Sequence, residues 1–517
     1  MKKWIWRGLL LLLLIVLGLG IWMIRNLSDR FPGYEVNIDI PAGNAMPLRA
    51  GFAKVSISPE LPDTWVDVNQ DSMYRAQDGD TYQDGNGNGK FDASWMAGFG
   101  KHRAAKSIHD SLWARAMVID DGHTRMAVVV IDAIGFGHDD VIRVRQQIPS
   151  SAGLTYTTVA ATHTHEAPDL VGLWGPGNFV SGVDPDYIAL VIRRTAAAVT
   201  KAVANLRPAR LRIGEDLTGA TSMLADTRKP IVLDPRITVL QFLDLEADTT
   251  LGSLFAWANH PETLWSKNMQ LSSDFPHYVR EAMEKGIYDG DSLVVEGLGG
   301  TCVYINGAIG GLMTTHPSTP IEDMFTDTTY LAPSYAKIKA QGDQLARLGL
   351  NAIRDSSVSE LRAASLALRA KTIEIPLDNV LFQLAASLGI LDRGMSRWMH
   401  MRTEVAAWEL GPISCLQVPG EIYPEMVNGG IEAPEGQDFN VPPQEIPPLR
   451  EKMSGRYKMI FGLANDLIGY IIPRSEWDQE PPFIYGYESD PYGEINSVGP
   501  ETAGIIHREC LELLEKQ

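Results

Sequence analysis

Tyr156-Thr-Thr-Val-Ala-Ala-Thr-His-Thr-His165 runs from an apolar strand straight into two histidines. Its first part, Tyr156–Thr162, has the composition of a buried strand, as does Arg125-Met-Ala-Val-Val-Val-Ile-Asp132 before it. Downstream, Asp184-Pro185 reads as a helix cap with proline in the first turn, opening an alanine-rich helix to about Leu206. Further strands are expected at 209–214, 237–245, 253–258, 303–306, 413–418 and 459–463. Helices are expected at 278–285, 336–354 and 501–515. Strands interleaved with helices imply an α/β fold, a layered mixed β-sheet core flanked by helices. Residues 49–517 are assigned to one large domain, residues 26–48 to a linker, and the proline- and acid-rich stretch 431–449 to a surface loop.

His163 and His165 are two apart, and strand side chains two apart share a face. Both imidazoles would then leave one strand end together, as a metal site or an acid/base pair needs; otherwise they are polar residues of a loop. His260 also follows a strand, 254–258, and sits in Asn259-His-Pro261. The chain has 11 histidines, and two strand ends carry three of them. In open α/β sheets, sites lie beyond the carboxyl ends of strands. Glu421 ends a third such unit, Cys415-Leu-Gln-Val-Pro-Gly-Glu421, where Pro419 and Gly420 force a turn directly after the strand. Two imidazoles and a carboxylate suit zinc and leave a position open.

The net charge of −19 over 517 residues argues against a nucleic-acid partner, since phosphate backbones need basic patches. Three cysteines, Cys302, Cys415 and Cys510, form no Cys-x-x-Cys pair, so a zinc knuckle is not expected. Lys2, Lys3 and Arg7 precede an apolar run from Gly8 to Ile24, closed by Arg25. Residues 1–25 thus read as a signal anchor or a cleaved signal peptide. The absence of a small-x-small cleavage pattern favours the anchor. Positive charge before the run keeps that end in the cytoplasm, which puts the rest outside the cytoplasmic membrane, periplasmic or extracellular.

Asp84-Gly-Asn-Gly-Asn-Gly-Lys-Phe-Asp92 places Asp84, Asn86 and Asn88 at alternate positions, followed by glycine and by Asp92. This matches the first half of a calcium loop, in which Ca2+ would be structural. Trp95 stands where the bidentate glutamate is expected, so a glycine-rich turn is the alternative.

Several stretches together resemble the neutral/alkaline (non-lysosomal) ceramidases. They are Ala50-Gly-Phe-Ala-Lys-Val-Ser-Ile-Ser-Pro59, Ala161-Thr-His-Thr-His165, Asn259-His-Pro-Glu-Thr263, Ser272-Ser-Asp274, Val418-Pro-Gly-Glu421 and Gly462-Leu-Ala-Asn-Asp-Leu-Ile-Gly-Tyr470. The resemblance implies a zinc ion (Zn2+) held by His163, His260, Glu421 and Tyr470. It casts His165 as a non-ligand histidine beside the reacting water. It also implies an active-site tyrosine at Tyr487, with Tyr485 as its neighbouring competitor, and an arginine for which Arg228 is the candidate. The family's Gly-Asp-Val-Ser-Pro segment stands here as Gly307-Ala-Ile-Gly-Gly311, with Gly310 in the place of the serine and Ala308 in that of the aspartate. The sequence ends soon after Gly499-Pro-Glu-Thr502, which resembles the end of the family's catalytic domain, before the immunoglobulin-like domain of longer members.

The implied function is a membrane-tethered, extracytoplasmic zinc amidohydrolase. It would cleave an N-acyl amide of a ceramide-like or other acylated lipid or envelope component. The alternatives are a zinc esterase or other hydrolase of a non-lipid small molecule, and an inactive binding protein on the same fold.

Overall fold

The structure, a computed structural model, describes residues 2–356, 358–489 and 491–515. Its centre is a nine-stranded mixed sheet and a five-stranded sheet facing each other. In the large sheet, Arg125–Ile131 runs parallel to Tyr156–Ala161 at one edge, and Thr250–Ala256 runs parallel to Thr301–Ile305 at the other. Antiparallel strands lie between these two pairs. The five-stranded sheet is built on Leu366–Pro376, His400–Leu410, Ile413–Gln417 and Tyr457–Phe461, the last two parallel.

The strand sequences follow from this layering. Met126, Val128 and Val130 point into the core between the sheets, beside Trp408 and Phe461. Ala127, Val129 and Ile131 point to the other face, where the helix Pro185–Ala204 packs. A strand covered on both faces is apolar throughout rather than alternating. The helices Phe275–Lys285 and Tyr335–Arg354 cover the rest of that outer face. Thr502–Glu515 covers the outer face of the small sheet. The result is four layers, helix, sheet, sheet, helix, and it bears out the expected α/β class.

Asp184 caps the helix Pro185–Ala204 as its sequence predicts, accepting from the amides of Asp186 and Tyr187. The N-terminal helix spans Lys2–Asn26, and its stretch Lys3–Asn26 is long and apolar enough to cross a membrane. Segment 26–48 differs from the expected linker. Asn37–Ile40 pairs with residues 368–371 as the edge strand of the small sheet. Before it, Asp29 is ion-paired with Arg402, and Leu27 packs into the core beneath that sheet. Its prolines and glycines punctuate bonded backbone. Stretch 431–449 is free of helix and strand up to Pro448, although Glu445 within it is buried.

Candidate active site

Two parallel strand pairs deliver the histidines. Tyr156–Ala161 ends at Thr162, and the chain turns at His163 with a left-handed φ of 69°. Thr250–Ala256 leads to His260 through Trp257, Ala258 and Asn259, without a left-handed residue at the histidine. Asn306, after the neighbouring strand Thr301–Ile305, ties the two ends together. Its amide nitrogen donates to the carbonyls of Thr162 (3.0 Å) and Asn259 (2.9 Å), and its oxygen accepts from the Asn259 amide. Both histidines follow strands rather than extend them. A non-glycine residue at positive φ is costly and recurs at functional sites.

Each imidazole is fixed through Nδ1. His163 Nδ1 donates to the Ile134 carbonyl at 2.5 Å, and His260 Nδ1 donates to the Met313 carbonyl at 2.8 Å. With Nδ1 engaged by a carbonyl, Nε2 is the nitrogen left to face the site. Both Nε2 atoms face one carboxylate oxygen, Glu421 Oε2, at 3.5 Å from His163 and 3.1 Å from His260. Pro419 and Gly420 turn the chain so that Glu421 opens a two-residue strand, paired in parallel register with Tyr470. The Tyr470 hydroxyl lies 3.5 Å from His260 Nε2. Burial pushes the Glu421 carboxyl up, but His163 and His260 outweigh it and hold the group far below the usual carboxylate range. The same burial, with Glu421 alongside, raises Tyr470.

His165 stands apart in its bonding. Its ring centre is 5.0 Å from that of His163 and 5.6 Å from that of His260. Its Nδ1 lies 3.1 Å from Glu262 Oε2, its nearest charged neighbour, and neither buried ring nitrogen is otherwise bonded. Burial depresses it to about 4 against the pull of Glu262, so it is neutral at pH 7. Arg103 holds its backbone, donating to the His165 carbonyl while ion-paired with the buried Glu166. Gly98, at φ 103°, lies flat against the ring; a Cβ there would collide with His165.

His163, His165 and Glu421 open onto one cavity. Leu170, Trp174, Leu377, Phe382, Met401 and Val498 give it apolar lining, and Asp140, Asp392 and Arg393 add charge. Among the described residues, His163, His165 and His260 form the one cluster of three metal-ligating side chains, their ligand atoms within 4.8 Å of one another. Two imidazole lone pairs, a carboxylate and a phenol converging in a buried place are a donor set that fits zinc, with each ligand histidine oriented by a backbone carbonyl.

That geometry meets an independent comparison. Residues 87–301 match the family described as neutral/alkaline non-lysosomal ceramidase, N-terminal. The resemblance read from the motifs is thereby borne out. The ceramidase-family region contains His163, His165 and His260, while Glu421 and Tyr470 lie beyond it and reach the site through the fold. Two solved structures are similar to this chain. One is a neutral ceramidase from Pseudomonas aeruginosa, at 15% identity and a TM-score of 0.61, covering 91% of this chain and 74% of the other. The second is a ceramidase complexed with C2, at 14% identity and a TM-score of 0.61, covering 91% and 75%. At such identities the likeness is one of fold.

The remaining expected residues are placed as follows. Arg228 is buried with its guanidinium committed to Glu494 and to the Glu476 carbonyl, and it is absent from the cavity wall. The Tyr487 hydroxyl accepts from the Lys229 amide, and Tyr485 donates to Glu432; neither lines the cavity. Tyr492 does, with its ring 6.1 Å from that of Tyr470. Glu262 and Tyr492 are the residues that the motif reading passed over. Glu262 was within reach as the acid two residues after His260, whereas nothing in the sequence near Tyr492 distinguishes it. Gly310 has no room for a side chain, because Tyr423 fills the space where a Cβ would project. In the loop 84–92, Asp84 accepts from the amides of Gly87, Asn88 and Gly89, and Asp92 accepts from the side chains of Asn86 and Asn88. Its oxygens are engaged inside the loop.

Proposed function

We propose that this protein is a zinc-dependent amidohydrolase that cleaves the N-acyl amide of a ceramide-like lipid. The observation that carries this reading is the convergence of His163 Nε2 and His260 Nε2 on Glu421 Oε2, beside a cavity with apolar lining. The ceramidase-family match and the ceramidase-like fold support it.

His163, His260, Glu421 and Tyr470 would hold the zinc. When bound, zinc supplies Lewis acidity towards a carbonyl and towards water. The chain's own residues account for the rest. The apolar lining binds the acyl chain and excludes bulk water from the amide. Glu262, beside Nδ1 of His165, leaves Nε2 as the nitrogen that moves protons. As a water attacks the amide carbonyl, His165 Nε2 takes up its proton. It returns that proton to the amine nitrogen as the C–N bond breaks.

The helix Lys3–Asn26 anchors the chain in the cytoplasmic membrane. The basic residues before it stay inside, and the catalytic layers lie outside. The test is turnover by purified full-length protein on matched N-acyl and O-acyl lipids, before and after chelation and zinc replacement. Zinc-restored cleavage of the N-acyl substrate is expected. Cleavage confined to the O-acyl substrate, or indifferent to chelation, would refute the reading.

A further inference from the structure

The N-terminal helix does not hang from a flexible tether; its end is bolted to the cavity rim. Asn26 Nδ2 donates to the Ser387 carbonyl at 2.9 Å, and the Met395 amide donates to the Leu27 carbonyl. Arg30 is ion-paired with Asp139 and with Asp392, at 2.6 Å, and Asp392 lines the cavity. Segment 26–30 is thus clamped along the stretch 387–395, just after the short helix Val380–Ser387.

That short helix has two apolar sides. Phe382 faces the cavity. Val380 and Leu381 face outward, 72% and 64% exposed, in a position where a soluble protein would place polar groups. Trp398, 73% exposed, lies on a loop joined to the start of this segment by a hydrogen bond from the Leu377 amide to the Met399 carbonyl. Nearby, the backbone at Gly172 packs directly against the Ile390 carbonyl. The hairpin that follows ends in Phe179 and Val180, both exposed. The exposed apolar side chains and the exit of a membrane-length helix are therefore all carried on segments that line the cavity or bond directly to segments that do.

We infer that this face, Val380, Leu381, Trp398 and the Phe179-Val180 tip, docks on the bilayer that Lys3–Asn26 crosses, so that the cavity takes its lipid directly from the leaflet past Phe382. The inference rests on the reading of Lys3–Asn26 as a span. A bilayer is the occupant that this geometry selects, because the span is fixed to the same stretch that forms the rim. Exposed tryptophan and aliphatic side chains at the exit of a span match the interfacial preference of such residues.

The three native cysteines are buried, so one added surface cysteine can be labelled selectively. Full-length Leu381→Cys would carry an environment-sensitive fluorophore in phosphatidylcholine nanodiscs, with and without bromine on the acyl chains. Leu293→Cys, in the exposed hairpin Gly286–Glu296, is the control. Bromine-dependent loss of emission at 381 and none at 293 is expected. Equal emission at 381 in both discs would overturn the inference while leaving the span intact. A chain that does not enter the disc at all would overturn both the span and the docking face. Zinc-dependent turnover, measured separately, tests the amidohydrolase reading without reference to this readout.

Discussion

Glu421 and Tyr470 stand opposite one another in register across a two-residue parallel bridge. Backbone pairing, rather than side-chain packing, sets their spacing. It aligns a carboxylate that follows one strand of the small sheet with a phenol far along the chain. Tyr470→Phe should therefore keep the bridge and the fold but lose a ligand. Zinc affinity should fall by roughly tenfold or more, as measured by competition with a chelator, with no change in the unfolding midpoint of the apo-protein. Unchanged affinity would remove Tyr470 from the ligand set.

Glu262 is assigned to His165 rather than to the metal. Glu262→Gln should leave zinc stoichiometry at the wild-type value and lower kcat, by a factor within the roughly 10²–10⁴ that general acid–base catalysis supplies. Loss of zinc in this variant would place Glu262 among the ligands instead.

Gly98 lies against the His165 ring at a φ of 103°, so Gly98→Ala both strains the backbone and displaces the imidazole. The strain alone should cost on the order of 1–3 kcal/mol in unfolding free energy. Turnover should fall while zinc is retained. A fully active, equally stable variant would contradict the packing described.

Arg228 supports the fold. Arg228→Ala leaves Glu494 buried without its cation, which should cost about 3–5 kcal/mol. Protein that remains folded should still bind zinc at the wild-type affinity. Selective loss of kcat at undiminished stability would return Arg228 to the active site.

Glu425 and Glu476 are buried acidic neighbours near Arg228. Two carboxyl groups brought together out of water favour keeping at least one proton between the pair. Burial, and for Glu476 the neighbouring Glu425, raises both groups above the ordinary 4.5. A raised folded-state pKa favours the protonated form, so this contribution is complete below about pH 4.5 and is lost as pH rises from there through the folded values. Glu476→Gln should flatten that decline, with a gain of roughly 1 kcal/mol or more at pH 8. The check is thermal unfolding across pH 5–9.

The parts of the fold legible in sequence were those where one physical demand dominates. Arg125–Ile131 and Tyr156–Ala161 are covered on both faces, so their apolar runs are unbroken. The long strands Leu366–Pro376 and His400–Leu410 escaped notice because charged residues interrupt them. Among these, Glu404 is buried and bonded to Arg145 and Tyr156, and Arg402 to Asp29. Ion pairing allowed charge into a strand, and periodicity cannot foresee a partner hundreds of residues away. Of the site, the strand-end histidines and Glu421 were readable from local turns. Tyr470 needed the family resemblance, since only the fold brings it beside Glu421. The tyrosine expected at 487 does not line the cavity, whereas Tyr492 does.

The central claim is the location of the metal. Crystals of the zinc-loaded protein, measured on both sides of the zinc absorption edge, would locate it by anomalous scattering. The account predicts one strong peak, bounded by His163 Nε2, His260 Nε2, Glu421 and the Tyr470 hydroxyl, with His165 outside bonding distance. A peak coordinated by His165 in place of Glu421 or Tyr470, or no peak in this cavity, would contradict it.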